Sequence, residues 1–329
     1  MVFPVEKFKN LLKHEFKIEV ITPLFSGGAD GVSAELRPSA LKGMMRFWWR
    51  ALYGSDDIEQ MKEDEAAIFG DTDFKSDVVL AFDVPENCKP SKANITRGKL
   101  IPVEGKTFRI SIIEYLAYGL FDLSRREYIR QYYPPEVTFH LALDYCSDSK
   151  SEVLNSLQMI HQFGGFGSRC RNGLGCIHIK EFNNETPEKY FQKIKQGSRK
   201  KFSGFSKNSR LFLFKEQNFW DKALFDVGVA YRTAKLSLEA RHQDARRQLI
   251  ASPIDANNGN PINDRHAKPY FLHVHKMGNG KFRGQILFLP YQYYKSEKLA
   301  EYDRACNDMN NSIRRAANFD KEITASEGV

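Results

Sequence analysis

A glycine-rich stretch at residues 164–175 constrains this chain more than any other feature of its sequence. It contains five glycines and two arginines, Arg169 and Arg171. A helix-like run at residues 151–163 precedes it, and a strand-like alternation at residues 176–182 follows it. Glycine lacks a Cβ atom and tolerates positive φ, so such a stretch can turn sharply and let another backbone approach it closely. We therefore expect a tight loop that joins a helix to a strand and presents its backbone to a ligand.

The composition of this loop is typical of an anion site. Successive N–H groups of a glycine-rich turn can converge on an anion, and arginine offers a planar pair of donors to phosphate. Two arginines spaced by two residues would point the same way in an extended segment. We predict that phosphate is contacted by five residues of the loop: Gly164, Gly165, Gly167, Arg169 and Arg171. Valine at Gly165 or Gly167 should then weaken binding. The alternative is a mobile turn whose arginines are merely solvated.

A helix predicted at residues 39–53 has two contrasting faces. At about 100° per residue, one face is apolar; it carries Leu41, Met44, Met45, Trp48 and Leu52. The adjacent face carries Lys42, Arg46, Trp49, Arg50 and Tyr53. Cations interleaved with aromatic rings suit a phosphate backbone and stacked bases. We predict that Lys42, Arg46, Trp49 and Arg50 bind nucleic acid, so alanine at both Arg46 and Arg50 should weaken binding and leave the fold intact. The alternative is a solvated face with two half-packed aromatic residues.

The order of the predicted elements in the first half is β-α-β-β-α-β once insertions are set aside, which is the ferredoxin-like order. The strands predicted in this half, including one beyond the four of that order, are at residues 14–21, 76–84, 106–113, 137–145 and 176–182. The insertions comprise a solvated acidic helix within residues 56–73, a long polar loop at residues 85–105 and a helix at residues 115–133. In this topology the glycine-rich loop can approach the helix at residues 39–53.

The second half has a similar order without an obvious final strand. The predicted elements are a strand at residues 210–214, a largely helical segment at 220–250, a hairpin at 268–275 and 281–289, and a closing helix at 299–319 before a frayed tail. A basic connection at residues 195–215 separates the halves. The fold class is therefore α+β, with two tandem ferredoxin-like, RRM-like domains at residues 1–200 and 201–329.

The charge of the chain favours a polyanionic partner. Its formal net charge is +8 and 13% of its residues are aromatic, so both cations and stacking surfaces are available. No run of about 18 apolar residues and no basic-then-apolar leader occurs, so we expect neither a membrane span nor export. The five cysteines are scattered and form no C-x-x-C pair, which predicts reduced thiols in a cytoplasmic protein without a zinc site.

Two stretches together resemble the RAMP superfamily of CRISPR-associated proteins, and in particular a RAMP subunit of the Cmr (type III-B) RNA-targeting effector complex. One is the glycine-rich loop before a final strand. The other is ITPL at residues 21–24 with Gly27 and Gly28, followed by LRPSALKG at 36–43 and RFWWRAL at 46–52. Ser252-Pro253 and residues 265–270 are similar to the second half of that subunit more loosely.

The resemblance implies a tandem ferredoxin-like RNA-binding subunit without a cofactor. It would lie near the 3′ region of the guide RNA and contact guide and target RNA without cutting either, beside other Cmr subunits. The looser similarity adds Arg265 and Lys268 to the expected RNA-binding residues. The second half has no glycine-rich loop of its own, so the resemblance does not extend to a second equivalent RNA site.

Two enzymatic alternatives differ in what the sequence offers them. A metal-independent endoribonuclease of the same superfamily needs a general base and acid near a 2′-hydroxyl group. The candidates are His14, His161, His178 and His266. We expect His178 to lie on the outward side of its strand. A nucleotide hydrolase is excluded, because Gly105-Lys106-Thr107 lacks the first glycine of a phosphate-binding loop and opens a strand instead of a helix.

Overall fold

The structure is a computed structural model that describes residues 11–95, 98–103, 107–122, 124–182, 185–239, 245–251 and 266–324. Its strands are β1 Leu11–Val20, β2 Val79–Asp83, β3 Leu100–Pro102, β4 Arg109–Ser111, β5 Phe121–Asp122, β6 Glu127–Tyr128, β7 Thr138–Cys146, β8 Ile177–Ile179, β9 Arg210–Gln217, β10 Tyr270–Lys276, β11 Phe282–Phe288 and β12 Phe319–Thr324. Its α-helices are α1 Pro38–Tyr53, α2 Ile58–Phe69, α3 Ile112–Leu116, α4 Lys150–Phe163, α5 Pro187–Lys193, α6 Trp220–Leu236, α7 Ala245–Leu249 and α8 Leu299–Arg314.

The chain divides into two compact units. The first takes the described parts of Met1–Ile95, Ala117–Cys170 and Leu174–Pro187, and the second takes those of Thr96–Leu116, Arg171–Gly173 and Glu188–Val329. The division differs from the expected single boundary at residue 200. Two segments that precede residue 188, Thr96–Leu116 and Arg171–Gly173, are grouped with the second unit, and a contiguous boundary cannot represent that arrangement.

The first unit is built on an antiparallel sheet with the strand order β2-β7-β1-β8. Along β1, Phe16, Ile18 and Val20 are buried, as the alternating sequence predicts. Helices α1 and α4 pack against each other, and α2 packs against α1. The predicted helix at residues 39–53 is confirmed as α1, which has proline at its first position, where a missing N–H costs nothing.

The second unit repeats the same permutation of strands, β10-β11-β9-β12, again with antiparallel pairing. Strand β12 corrects the expectation of a frayed tail after Phe319, and α8 ends at Arg314, before the expected end of the closing helix. All six residues of the segment FDKEIT are half-buried or exposed. Its sequence therefore lacks the alternation of apolar and polar residues that would predict a strand. Its pairing with β9 supplies the backbone hydrogen bonds that the sequence pattern does not reveal.

The predicted helix at residues 115–133 is wrong. Helix α3 ends at Leu116, and the short strands β5 and β6 pair with each other beyond it. Gly119 and Arg126 both adopt positive φ, which a helix does not allow. Aromatic side chains of this segment pack instead around Phe25, whose ring centroid lies 5.4 Å from that of Tyr128 and 5.2 Å from that of Tyr132.

Three further sequence expectations can be compared with the structure. Helix α6 ends at Leu236 and the short helix α7 follows within the segment predicted as largely helical. All five cysteines are free thiols. Among the described residues no helix is long and apolar enough to cross a membrane.

Candidate nucleic-acid interface

Two arginines of α1 enclose a buried carboxylate. Nη1 of Arg46 lies 2.8 Å from Oε1 of Glu65, and Nη1 of Arg50 lies 2.5 Å from Oε2 of the same residue. Glu65 is 8% exposed and lies on α2. Arg46 also donates to the carbonyl oxygens of Phe69, at 2.8 Å, and Gly70. It thereby satisfies carbonyl groups that the end of a helix leaves without intrahelical partners.

The other members of this face also have partners within the protein. Trp49 is 3% exposed, and its Nε1 donates to Glu152 on α4 at 3.1 Å. The expectation that this tryptophan is available on the surface to stack on a base is therefore wrong. Lys42 donates to Oγ of Ser76 at 2.7 Å, and burial, together with the nearby Arg46, lowers the pKa of Lys42. RNA binding by this face stays a prediction, but the structure gives each of its cations a partner in the fold.

These contacts change the expected result of the double substitution Arg46→Ala/Arg50→Ala. It would leave Glu65 buried without its two cations, and a buried charge left uncompensated destabilises the folded state. We expect the free energy of unfolding to fall by about 2 kcal/mol or more. Urea denaturation measures this, with Lys62→Ala, an exposed residue of the same α2, as the control. Unchanged stability with weakened RNA binding would restore the sequence-based interpretation.

The glycine-rich loop follows α4 and packs tightly against its own unit. A Cβ atom at Gly164 would lie 2.6 Å from Nε1 of Trp48, and one at Gly165 would lie 2.5 Å from the carbonyl oxygen of Gly175. A Cβ atom at Gly167, where φ is +88°, would lie 2.7 Å from the carbonyl oxygen of Phe25. The expected approach of the loop to α1 is confirmed. The close approach that these glycines permit is to the protein's own backbone and to Trp48.

Hydrogen bonds hold this loop along the segment that follows β1. The N–H of Ser168 donates to the carbonyl oxygen of Phe25 at 2.7 Å, and that of Gly175 donates to Pro23 at 3.0 Å. Residues 168–171 form a turn in which Arg169 has φ of +62°, so the expected extended geometry of the two arginines is wrong. Arg169 is exposed, and a Cβ atom at Gly119 would lie 3.0 Å from its Nη2 atom.

A second arginine, Arg130, lies close to the same segment. A Cβ atom at Gly27 would lie 3.8 Å from Nη1 of Arg130, which is half-buried. The two segments are joined here, since the N–H of Gln131 donates to the carbonyl oxygen of Val32 at 2.8 Å. The loop that contains Gly27 and Gly28, the Gly27 loop, thus contacts the segment of Arg130. Phe25, just before this loop, is hydrogen-bonded to the glycine-rich loop that carries Arg169. We call Gly27, Arg130, Ser168 and Arg169 the arginine loop surface.

Hydrogen bonds within the Gly27 loop also stabilise its turn. The carboxylate of Asp30 accepts hydrogen bonds from the N–H of Val32 at 2.9 Å and from the N–H and hydroxyl of Ser33 at 2.8 Å each. These donors, that of Val32 foremost, lower the pKa of Asp30. The carboxylate therefore stays ionised to a lower pH than an ordinary aspartate, and its hydrogen bonds fasten the turn that follows Gly27 and Gly28.

In the second unit Arg171, from the glycine-rich loop, lies beside Lys268. The structure thus brings together two residues that the sequence predicts, separately, to bind RNA. Nη1 of Arg171 donates to the carbonyl oxygen of Lys268 at 3.1 Å, and Nζ of Lys268 donates to the carbonyl oxygen of Arg171 at 2.8 Å. The Arg171 guanidinium lies 4.7 Å from the ring centroid of Phe271, and the Lys268 ammonium lies 4.4 Å from that of Tyr231. Arg265, Ser252 and Pro253 lie outside the described residues.

The candidate catalytic histidines are held by other groups. His161 is 1% exposed and accepts a hydrogen bond at Nδ1 from the N–H of Ile179 at 3.0 Å. His178 is 7% exposed, so its expected position on the outward side of a strand is wrong. His14 contacts the hydroxyl of Tyr145 at 3.0 Å. His266 contacts the hydroxyl of Tyr291 and, at 2.8 Å, the carbonyl oxygen of Gln248.

Sequence reasoning missed Arg130 because it placed that residue on a helix. The sequence did offer one signal, the pair Gly27-Gly28 close to the end of the first strand, which indicates that another segment can approach the backbone there. Among the described residues, no group of three or more histidine, cysteine, aspartate and glutamate side chains could hold a metal ion.

Comparison with known proteins reveals relatives of one kind. A model of the RAMP superfamily matches residues 17–178. The CRISPR system Cmr subunit Cmr1-2 of Pyrococcus furiosus is 33% identical over 179 residues, which are 50% of this chain and 94% of that protein. Subunit Cmr1-1 of the same organism is 31% identical over 158 residues, which are 47% of this chain and 43% of that protein, so the match spans less than half of Cmr1-1.

Solved structures share the fold over most of the chain. The crystal structure of Cmr1 from Pyrococcus furiosus in its apo form has a TM-score of 0.61 at 20% identity and covers 95% of this chain and 99% of that one. A chain in the cryo-EM structure of the type III-B Cmr-beta bound to cognate target RNA has a TM-score of 0.57 at 14% identity, with 93% and 100% covered. At these identities the likeness establishes the fold and no more.

Proposed function

This chain belongs to the RAMP superfamily, and we propose that it is a non-catalytic RNA-binding subunit of a type III-B CRISPR (Cmr) RNA-guided effector complex. Its role is to contact single-stranded guide or target RNA near the 3′ region of the guide, for antiviral defence, beside other Cmr subunits. The relation to the Cmr subunits Cmr1-1 and Cmr1-2 supports membership of such a complex. A cytoplasmic location stays a prediction.

The observation that carries the RNA-binding part of the proposal is the arginine loop surface. Arg130 lies beside Gly27, and Arg169 follows Ser168, which donates a hydrogen bond to Phe25 two residues before Gly27; both arginines belong to the first unit. Two arginines around a backbone turn can hold a phosphate with planar donor pairs and add no sequence preference. A subunit that binds guides and targets of many sequences needs contacts of that kind.

The fold supports the further proposal that the chain consists of two tandem ferredoxin-like domains. Each four-stranded sheet has its first strand in the interior beside the third and fourth strands, and its second strand at an edge. This order, with one long helix after the first strand and another after the third, belongs to the ferredoxin-like arrangement that RRM domains use to bind single-stranded RNA.

The environments of the histidines support the non-catalytic part. A base that removes a proton from a 2′-hydroxyl must come within hydrogen-bond reach of the substrate. His161 and His178 are buried, and His14 and His266 already contact tyrosine hydroxyls. Cleavage chemistry at any of them would first require that these contacts be broken.

The test measures binding and cleavage on the same labelled single-stranded RNA. Affinity should fall with salt, with a slope near −0.7 per phosphate contact on a log–log plot. In parallel, the RNA should stay intact during long incubation with the protein, both with and without EDTA. A flat salt titration contradicts RNA binding through charge. Cleavage that persists in EDTA would instead support the endoribonuclease alternative.

A further inference from the structure

A small hairpin from the first half of the chain packs on a helix of the second unit. Strands β3 and β4 pair with each other, and α3 follows directly, within the segment Thr96–Leu116. Helix α3 lies close against α6, because a Cβ atom at Gly228 would lie 2.6 Å from Cγ1 of Ile112. Farther along α6, Nη2 of Arg232 donates to the carbonyl oxygen of Pro102 at 2.8 Å. These two contacts lie four residues apart on α6, or roughly 6 Å along the helix.

Cations line this junction on both sides. Lys99 and Arg109 come from the hairpin, and Lys222 and Arg232 come from α6. Lys99, Arg109 and Lys222 are exposed, and Arg232 is half-buried. Lys99 belongs to the long polar loop that the sequence predicts at residues 85–105. The structure puts it beside cations that lie more than a hundred residues away in the chain.

Aromatic rings accompany these cations. The ammonium group of Lys99 lies 5.9 Å from the ring centroid of Phe225, and the guanidinium of Arg232 lies 5.6 Å from that of Tyr115. Phe219, which precedes α6, is 63% exposed. An exposed aromatic ring beside cations offers a stacking surface for a base. We call Lys99, Arg109, Lys222, Arg232, Phe219 and Phe225 the hairpin–α6 seam.

A groove of about 140 Å³ opens within the seam. Lys99, Lys222 and Phe225 line it, together with Ile112 and Ile113. One carboxylate, that of Asp221, also lines it and accepts a hydrogen bond from the N–H of Lys222 at 2.9 Å. Among the described residues the groove thus combines apolar side chains with two ammonium groups and one carboxylate, and the named seam residues include four cations.

We propose that the hairpin–α6 seam is a second surface for single-stranded RNA, carried entirely by the second unit. The bases stack on Phe219 and Phe225, and the phosphates contact Lys99, Arg109, Lys222 and Arg232. This inference rests on the proposed function and extends it to a surface without a glycine-rich loop. Stacking accepts any base and the cations accept any phosphate, so the seam binds RNA without reading its sequence.

The test uses the full chain and a labelled oligouridylate, an RNA without base pairing. The variant Lys99→Ala/Lys222→Ala should reduce the salt slope of binding by about 1.4, since each phosphate contact contributes about 0.7. The variant Phe219→Ala should weaken binding about fivefold or more with an unchanged salt slope, because it removes a stacking surface and no charge. Ultraviolet cross-linking should attach the RNA to a peptide that contains residues 219–225.

The matched control is Lys281→Ala/Lys298→Ala, which removes two exposed lysines elsewhere on the second unit. It should bind like wild type, and all variants should keep the wild-type melting temperature. Wild-type affinity and slope in both seam variants would overturn the inference, as would equal losses in the control. Competition by polyglutamate as effective as that by RNA would also overturn it, because the surface would then suit an acidic protein. Loss of binding in an arginine loop surface variant, with normal seam variants, would leave the proposed function standing and remove the seam alone.

Discussion

Alanine at both Arg130 and Arg169 is expected to weaken binding of single-stranded RNA by about tenfold for each arginine. The Arg130 guanidinium lies beside Gly27, and Arg169 extends from the loop that is hydrogen-bonded to Phe25. A charge-assisted contact to phosphate is stronger than a neutral hydrogen bond. The salt slope should fall by about 1.4. Anisotropy of a labelled oligouridylate, measured across a range of salt concentrations, gives both quantities.

Two comparisons make this result specific. Arg304→Ala/Arg315→Ala removes the same charge from exposed positions in the second unit and should have little effect on binding. Arg169→Lys keeps the charge and loses the planar donor pair, so it should bind measurably less well than wild type. If both alanine pairs weaken binding equally, net charge and not the arginine loop surface governs the affinity.

The largest loss of stability is expected from Gly175→Ala. Gly175 has φ of +66°, and a Cβ atom there would overlap the carbonyl oxygen of Phe166. The N–H of Phe166 also donates to the carbonyl oxygen of Gly175 at 3.1 Å, so the two segments cannot separate without breaking this pairing. The positive φ and the overlap together should lower the free energy of unfolding by about 3 kcal/mol, as urea denaturation would measure.

Gly31→Ala is a matched control, because Gly31 has φ of +71° and open space where its Cβ atom would lie. It should carry the cost of the backbone conformation alone, about 1 kcal/mol. Equal destabilisation by the two substitutions would mean that the overlap at Gly175 relaxes freely. By the same reasoning, valine at Gly165 or Gly167 is expected to destabilise the fold before it affects RNA, since its side chain would meet the protein's own backbone.

The sequence by itself determined the elements whose signal is local. The alternation around residues 14–21 predicted β1, and the helical periodicity at residues 39–53 predicted α1. The runs at 268–275 and 281–289 predicted the hairpin of β10 and β11. Strand periodicity, helix periodicity and capping depend on neighbours within a few residues of one another. Equally short stretches, the glycine-rich loop and the motifs within residues 21–52, carried the resemblance to the RAMP superfamily, and the family model and the Cmr relatives agree with it.

Tertiary structure alone decided what each charged or glycine residue does. Arg46 has the sequence of an RNA-binding position, yet it pairs with Glu65 on a helix that the sequence described as solvated. Arg130 joined the candidate site because its segment packs on the Gly27 loop instead of forming a helix. A side chain's partner is chosen by contacts between segments that are distant in sequence, and a periodic pattern carries no information about such contacts. The loop glycines illustrate the same limit: the sequence predicted that something approaches their backbone, and the fold determined that it is the protein's own backbone and Trp48.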